Sequence, residues 1–365
     1  MAYSDIVFWL LIILIGALAF SIESGVAVRH RRVVLSSIFA ATLAAIYMMF
    51  LGDDHSRFGF LAPPKAAKKD ANKKEVLGTE YGGREKPAGA EVKKAGIETD
   101  NAKETARLLA ETGGFRDCPV CPLMIGIKKG SIDVGSPKDE AGRNENEGPR
   151  KTIYFKRPLA VSRYEIQRGE FRTFIQEARY SPASECFAGG RMQSDVNWLN
   201  PGIKQEDNHP VVCISIADAE AFSKWLSRKT EKRYRVPNES EWEYAARGGT
   251  KSAYWQGQPI GDSDANFRNQ YGGTLAVGRT RDNPFGLFDV QGNVWEFTAD
   301  CYVNDVGYLP GSGRKVAGFG DCSRRAIRGG AWDSSSDELR SARRRPIGVG
   351  VVSNTIGMRV VREFD

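Results

Sequence analysis

The stretch Asn283–Glu296 reads NPFGLFDVQGNVWE, and the rest of the chain is organised around it. It strings together turn formers, aromatics and acids: Asn283-Pro284, Gly286, Asp289, Gly292-Asn293, Trp295 and Glu296. Gly292 and Asn293 suit backbone positions with positive φ, so a tight turn is expected at that pair. Two readings of the turn stay open. In one it only buries Trp295. In the other, side-chain oxygens of Asn293 and Glu296, with a loop carbonyl or two, form a hard-cation site, because calcium takes several oxygens of mixed origin.

GLFDVQGNVWEF resembles the GLY-D-GNVWEW signature of the formylglycine-generating enzyme family, the sulfatase-modifying-factor domain. Further segments fit in the same order: Gly130–Ser136 (GSIDVGS), His209–Ser215 (HPVVCIS), Tyr234–Arg247 (YRVPNESEWEYAAR), Arg328–Trp332 (RGGAW) and Gly357-Met358-Arg359. The resemblance covers residues 117–363. It implies a compact, irregular α+β fold, C-type-lectin-like, with low regular secondary structure. It also implies a calcium site in which Gly292 and Val294 supply carbonyls beside Asn293 and Glu296. A second family calcium site would begin at Asn266 in Ala265-Asn266-Phe267, but its usual downstream Asp is missing from residues 271–277.

Members of the family that oxidise a sulfatase cysteine to formylglycine bind copper through two cysteines that follow the RGGS-aromatic element. Here Arg328–Trp332 is followed by Asp333-Ser334-Ser335-Ser336-Asp337-Glu338-Leu339, and no cysteine occurs after Cys322. A Cu(I) site needs soft thiolates, which Asp, Ser and Glu do not replace. No copper is therefore expected, and formylglycine-generating oxidase activity is not expected either. Iron chemistry of the two-histidine kind is excluded by the histidines: only His209 falls in the globular part, beside His30 and His55 upstream.

A ligand cleft beside the altered element would use Trp332, Asp333, Asp337, Glu338 and Arg343. Acids beside a fan of arginines suit polar or anionic ligands. The competing reading is an internal salt-bridge cluster, strongest for Arg340 and Arg344, which match arginines that the family packs inside.

The first 51 residues hold two apolar runs, Ile6–Ile22 and Val33–Leu51, each near the length that crosses a bilayer. Arg29, His30, Arg31 and Arg32 lie between them, which places that short loop in the cytoplasm and everything after Leu51 outside. Residues 1–52 thus read as a two-helix anchor in the inner (cytoplasmic) membrane, with the C-terminal part facing the periplasm or cell exterior. Residues 53–114 are rich in Lys, Ala and Glu and read as a flexible tether, with a helix over 98–111. Residues 115–365 are the domain.

The cysteine count agrees with an oxidising compartment. Neighbourhood pairing gives Cys118–Cys121, Cys186–Cys213 and Cys301–Cys322, although six cysteines allow fifteen connectivities. A metal site at Cys118-Pro-Val-Cys121 lacks the second pair that a zinc ribbon needs, and thiol–disulfide chemistry there lacks a thioredoxin-like surround. The formal net charge of +7 is spread over mixed charges with no continuous basic helix face, so nucleic acid is not a partner.

Within the domain, Met124–Ile127 and Ile132–Val134 read as short strands, Thr152–Arg163 as one strand, and Val211–Ser215 as a buried strand. Helices are expected over Gln167–Arg179, after Ser215 (capped with Asp218), and after Asn238 (capped with Glu241, ended by Gly248-Gly249). The remaining third reads as turns and short strands. The function these features favour is a non-catalytic binding or scaffold module acting on an extracytoplasmic protein or polar ligand. A copper-cysteine-independent oxidoreductase or protein-modifying enzyme of the same family is the alternative.

Overall fold

The computed structural model describes residues 101–111, 113–257, 260–312 and 319–364. The two apolar runs and nearly all of the tether lie outside the described residues. Among the described residues no helix is long and apolar enough to cross a membrane.

Helix α1 (101–110) opens the described chain. The sequence reading put this helix in the tether, but it packs on the body, with Leu108 buried in the main core at 2% exposure. The first four-stranded sheet is antiparallel and contains β1 (Met124–Ile127), β4 (Leu159–Ser162), β7 (Arg233–Arg235) and β12 (Val361–Glu363) in the order β1-β4-β12-β7. Strands β2 (Gly130–Val134) and β3 (Lys151–Phe155) pair antiparallel beside it. The expected single strand over Thr152–Arg163 is in fact β3 and β4, separated at Pro158. Proline has no N–H for a sheet ladder and interrupts the run.

Three helices form where the sequence places them, two of them with the expected caps. Helix α2 (Arg168–Ala178) ends with Arg179 in the left-handed region. Helix α3 (Ile216–Thr230) begins at Ser215, whose hydroxyl accepts from Asp218 N at 3.2 Å while Asp218 accepts from Ser215 N at 2.7 Å. Helix α4 (Glu239–Arg247) repeats the device with Asn238 and Glu241, at 2.8 and 2.9 Å. Each such box satisfies two orphan helix N–H groups and contributes about 1 kcal/mol.

Aromatic side chains of α2 and α3 interlock. Phe174 meets Phe222 edge-on with centroids 5.6 Å apart, and Phe171 meets Trp198 at 5.4 Å. Val211–Ser215 leads into α3 and is buried, but it is not a strand. Cys213 has φ 58°, and the segment divides its N–H bonds between Ile166 O and Ser353 O rather than one ladder. Hairpin β5 (Cys186–Ala188) and β6 (Arg191–Gln193) is tied to it by Cys186–Cys213.

The last third contains longer strands than its sequence suggests. Strands β8 (Trp295–Tyr302) and β9 (Asp321–Arg328) are eight residues each. They form the second sheet with β10 (Arg344–Gly348) and β11 (Ile356–Gly357), in the order β10-β9-β8-β11 with β11 parallel to β8. Helix α4 packs against β2 and β8, and every one of its residues is buried.

Candidate functional site

Asn283 anchors the entrance to the signature stretch. Its Nδ2 donates to Ala245 O and Ala246 O at 2.7 and 3.0 Å, closing the C-terminal carbonyls of α4. Its Oδ1 accepts from Phe285 N and Leu287 N, which builds the first turn. The second turn has Gly292 at φ 85° and Asn293 at φ 59°, as the residue types require. A Cβ on Gly292 would collide with Asn266 O, so glycine is needed there for approach as well as for backbone angle.

The turn delivers Asn293 and Glu296 into a buried cluster. Asn293 Oδ1 accepts from Leu275 N at 2.9 Å and Asn266 Nδ2 at 3.2 Å, and its Nδ2 donates to Glu165 Oε2 at 2.6 Å. Glu165 Oε1 accepts from Val294 N at 3.1 Å. Glu296 is fully buried, and both of its oxygens receive Arg359, at 2.6 and 2.7 Å. Trp242 Nε1 also donates to Glu296 Oε2, at 2.7 Å. Asp289 completes the cluster and accepts from Gly278 N and Thr280 Oγ1.

Three buried carboxylates therefore surround one guanidinium. Burial pushes Glu165 well above the usual carboxylate range, and the charges of Asp289 and Glu296 add to the rise. Burial also raises Asp289, and the hydrogen bonds from Gly278 and Thr280 offset only part of this.

Calcium at Asn293 and Glu296, as the resemblance implies, can be tested against these partners. A hard cation needs oxygens with lone pairs to spare and net negative charge. Glu296 already faces a bidentate guanidinium and an indole N–H, and Asn293 Oδ1 already accepts two N–H groups. The pair as arranged does not fit a calcium ion. Asn266 Oδ1 and Gln291 Oε1 are buried side-chain oxygens at this turn with no partner among the described residues, and two neutral amide oxygens do not supply the charge of a calcium site. Among the described residues no group of three His, Cys, Asp or Glu is disposed to hold a metal.

The element after Arg328–Trp332 folds as a tight turn and a 3-10 segment, Ser336–Leu339. Ser334 Oγ accepts from Ala331 N at 3.0 Å, and Leu339 fills the space behind Gly330, where a Cβ would lie 2.6 Å from Leu339 Cδ1. The expected ligand residues disperse. Trp332 turns toward the main core and donates to Asn354 O at 3.2 Å. Glu338 pairs with Arg343 at 3.7 Å. Asp333 is exposed. Asp337 alone of the five lines a cleft of about 580 Å³, with Asp139, Glu140, Lys251 and Tyr254.

Arg340 and Arg344 follow the internal reading. Arg340 forks onto Glu147 with two bonds of 2.7 Å and reaches Glu140 at 2.8 Å. Arg344 forks onto Glu239 at 2.6 and 2.7 Å, and Arg328 bridges Glu239 and Glu243 at 2.8 and 2.6 Å. Burial alone would raise Glu239, but Arg344 and Arg328 pull it below its usual range. Glu165, Glu239 and Glu243 were missed in the sequence. The surplus of arginines near the end of the chain signalled that acids must be buried elsewhere to match them, without saying which.

All three cysteine pairs are those given by neighbourhood: Cys118–Cys121, Cys186–Cys213 and Cys301–Cys322. Among the described residues no cysteine is free.

Residues 114–364 match the family described as Sulfatase-modifying factor enzyme 1-like domain. The chain is similar to Inactive C-alpha-formylglycine-generating enzyme 2 of Mus musculus, at 28% identity over 270 residues, 60% of this chain and 84% of that protein. It is also similar to the formylglycine-generating enzyme of Thermomonospora curvata, at 28% identity over 229 residues, 50% of this chain and 72% of that protein. Among solved structures, PvdO from Pseudomonas aeruginosa superposes with TM-score 0.64 and 32% identity, covering 70% of this chain and all of that one.

Proposed function

Because the chain belongs to the sulfatase-modifying factor enzyme 1-like family, and lacks the thiols on which formylglycine generation depends, we propose that it is a non-catalytic binding or scaffold module. In this reading the first 51 residues anchor it in the inner membrane and the family domain works outside the cytoplasm. One observation carries the proposal: all six cysteines are in disulfides, and the segment after Arg328–Trp332 holds serines, acids and the buried Leu339 instead of a thiolate pair. Cu(I) has no soft ligand there. Similarity to a relative named as inactive supports the same reading. The cleft lined by Asp139, Glu140, Asp337 and Lys251, beside that segment, is the candidate binding face for a polar ligand.

The test uses the full chain in detergent, mixed with a CxPxR sulfatase peptide, copper and oxygen. The peptide mass stays unchanged if the reading holds. Conversion of the peptide thiol to an aldehyde, read as the corresponding mass loss, overturns it.

A further inference from the structure

A second concave surface lies at the end of the first sheet, where the β3–β4 turn, the start of β7 and the end of β12 meet. It is a groove of about 750 Å³ floored by Phe155, Leu159 and Phe364. It continues along α1, past Ala102, Ala106 and Leu109, toward Lys128 and Lys129. Lys128, Lys129, Lys156 and Arg157 stand exposed on its rim. Its carboxylates, Glu241 and Glu363, are already claimed by Arg235, at 2.6 and 2.7 Å. Arg233 adds to Glu363 at 3.3 Å. Among the described residues none of Lys128, Lys129 and Lys156 is ion-paired, while the charge of Arg157 acts on Glu363, already held by Arg235 and Arg233, so the groove presents excess positive charge over an apolar floor.

We propose that this groove docks the phosphate headgroups of anionic phospholipid. The argument is complementarity and position. Each unmatched cation near an anionic bilayer adds on the order of fivefold to binding, and the apolar floor suits the glycerol and upper acyl region. The groove also lies where the chain enters the body: α1, the first described element, forms one wall, and the upstream sequence contains both bilayer-length runs. The proposal rests on the membrane-anchor reading above and adds an orientation to it, with the β1-β4-β12-β7 end of the domain facing the lipid and the Asp337 cleft left to another partner.

The experiment uses the full chain in nanodiscs of phosphatidylcholine, with and without phosphatidylglycerol, and pulse acetylation of lysines read by mass spectrometry. Labelling of Lys128, Lys129 and Lys156 falls on the order of fivefold when phosphatidylglycerol is present, and recovers at high salt. Lys251, in the other cleft, labels equally in both discs. The variant Lys128→Glu/Lys156→Glu/Arg157→Glu changes only exposed side chains and abolishes the lipid-dependent protection of Lys129. Equal labelling in both discs overturns the proposal. So does protection by inorganic phosphate alone in neutral discs, or protection in neutral discs that salt does not reverse, which marks a protein covering the groove. An alkaline wash reads the anchor separately. A chain that washes off its discs, yet is still protected by added phosphatidylglycerol vesicles, keeps the groove and loses the anchor.

Discussion

Trp242 touches two buried ionic clusters of opposite make-up. Its ring lies under the Arg328 guanidinium, 5.3 Å from the centroid, and its indole N–H binds Glu296. On the Arg328 side, three arginines, Arg328, Arg344 and Arg247, face two acids, Glu239 and Glu243. On the Glu296 side, Glu165, Asp289 and Glu296 share Arg359. Both clusters are buried, so what separates them is charge balance. An arginine-rich set depends on its two acids and punishes loss of either one. An acid-rich set has raised acids, so pH can reach it.

The largest effect should come from removing an acid on the arginine-rich side. Glu239→Ala takes away Arg344's ion pair and leaves Arg328 with Glu243 alone, and should cost about 3–5 kcal/mol in a urea melt. A cost under about 1 kcal/mol would mean that water reaches the cluster and the contrast is false. The Cys186→Ala/Cys213→Ala double variant sits in neither cluster and supplies a reference. Opening a loop of sequence separation 27 should cost about 3 kcal/mol in the chain-entropy account, with no pH dependence. A pH-dependent difference from wild type would assign the protonation effects to the wrong place.

The acid-rich side is read by pH. Glu165 and Asp289 are raised in the folded state, and so is Glu170, the cap acid of α2, which burial pushes up to about 7. A raised acid binds more protons folded than unfolded, so stability falls as pH climbs from the ordinary carboxylate value toward the folded one. For Glu170 that is the window from about 4.5 to 7, at about 1.4 kcal/mol per unit, a fall on the order of 3 kcal/mol. Glu239 and Glu147 are lowered and work the other way: their contribution is present above the ordinary value and is lost as pH falls through it. Stability should therefore peak in weak acid. Chemical denaturation from pH 4 to pH 8 that rises monotonically would contradict the acid-rich assignment.

Smaller still is Glu165→Gln. It removes a charge that crowds Asp289 and Glu296, but its NH2 faces an N–H donor where the carboxylate accepted two, so it should cost about 1–3 kcal/mol, less than Glu239→Ala. A chelator should have the smallest effect of all. If Asn293 and Glu296 are fully engaged by protein groups, melting is unchanged by chelation. A clear drop in melting temperature, absent in Glu296→Gln, would restore the cation reading of the turn.

Local chemistry was the legible part of this molecule. The capping boxes at Ser215 and Asn238 and the turn at Gly292-Asn293 depend on neighbours a few residues away, and they appear where the sequence places them. Cysteine pairing was readable because each pair is close in sequence. Long-range matching was not. Nothing around Glu165 announces that it will meet Val294, and nothing near α4 in sequence announces that its polar residues are all buried, because the arginines from β9 and β10 that neutralise Glu239 and Glu243 are remote in the chain. The expected ligand residues are spread apart for a related reason. Trp332 through Arg343 are adjacent in sequence, but the Ser336–Leu339 turn points successive side chains in different directions.

Strand β12 has a consequence for how the molecule is made. It lies between β4 and β7, yet Val361–Glu363 follow both by more than a hundred residues. Until those residues are synthesised, β4 and β7 have no shared neighbour and expose unpaired edges. The first sheet is thus completed last. A protease pulse during synthesis should find the β4–β7 region open until Val361–Glu363 have been made, then closed in a single step.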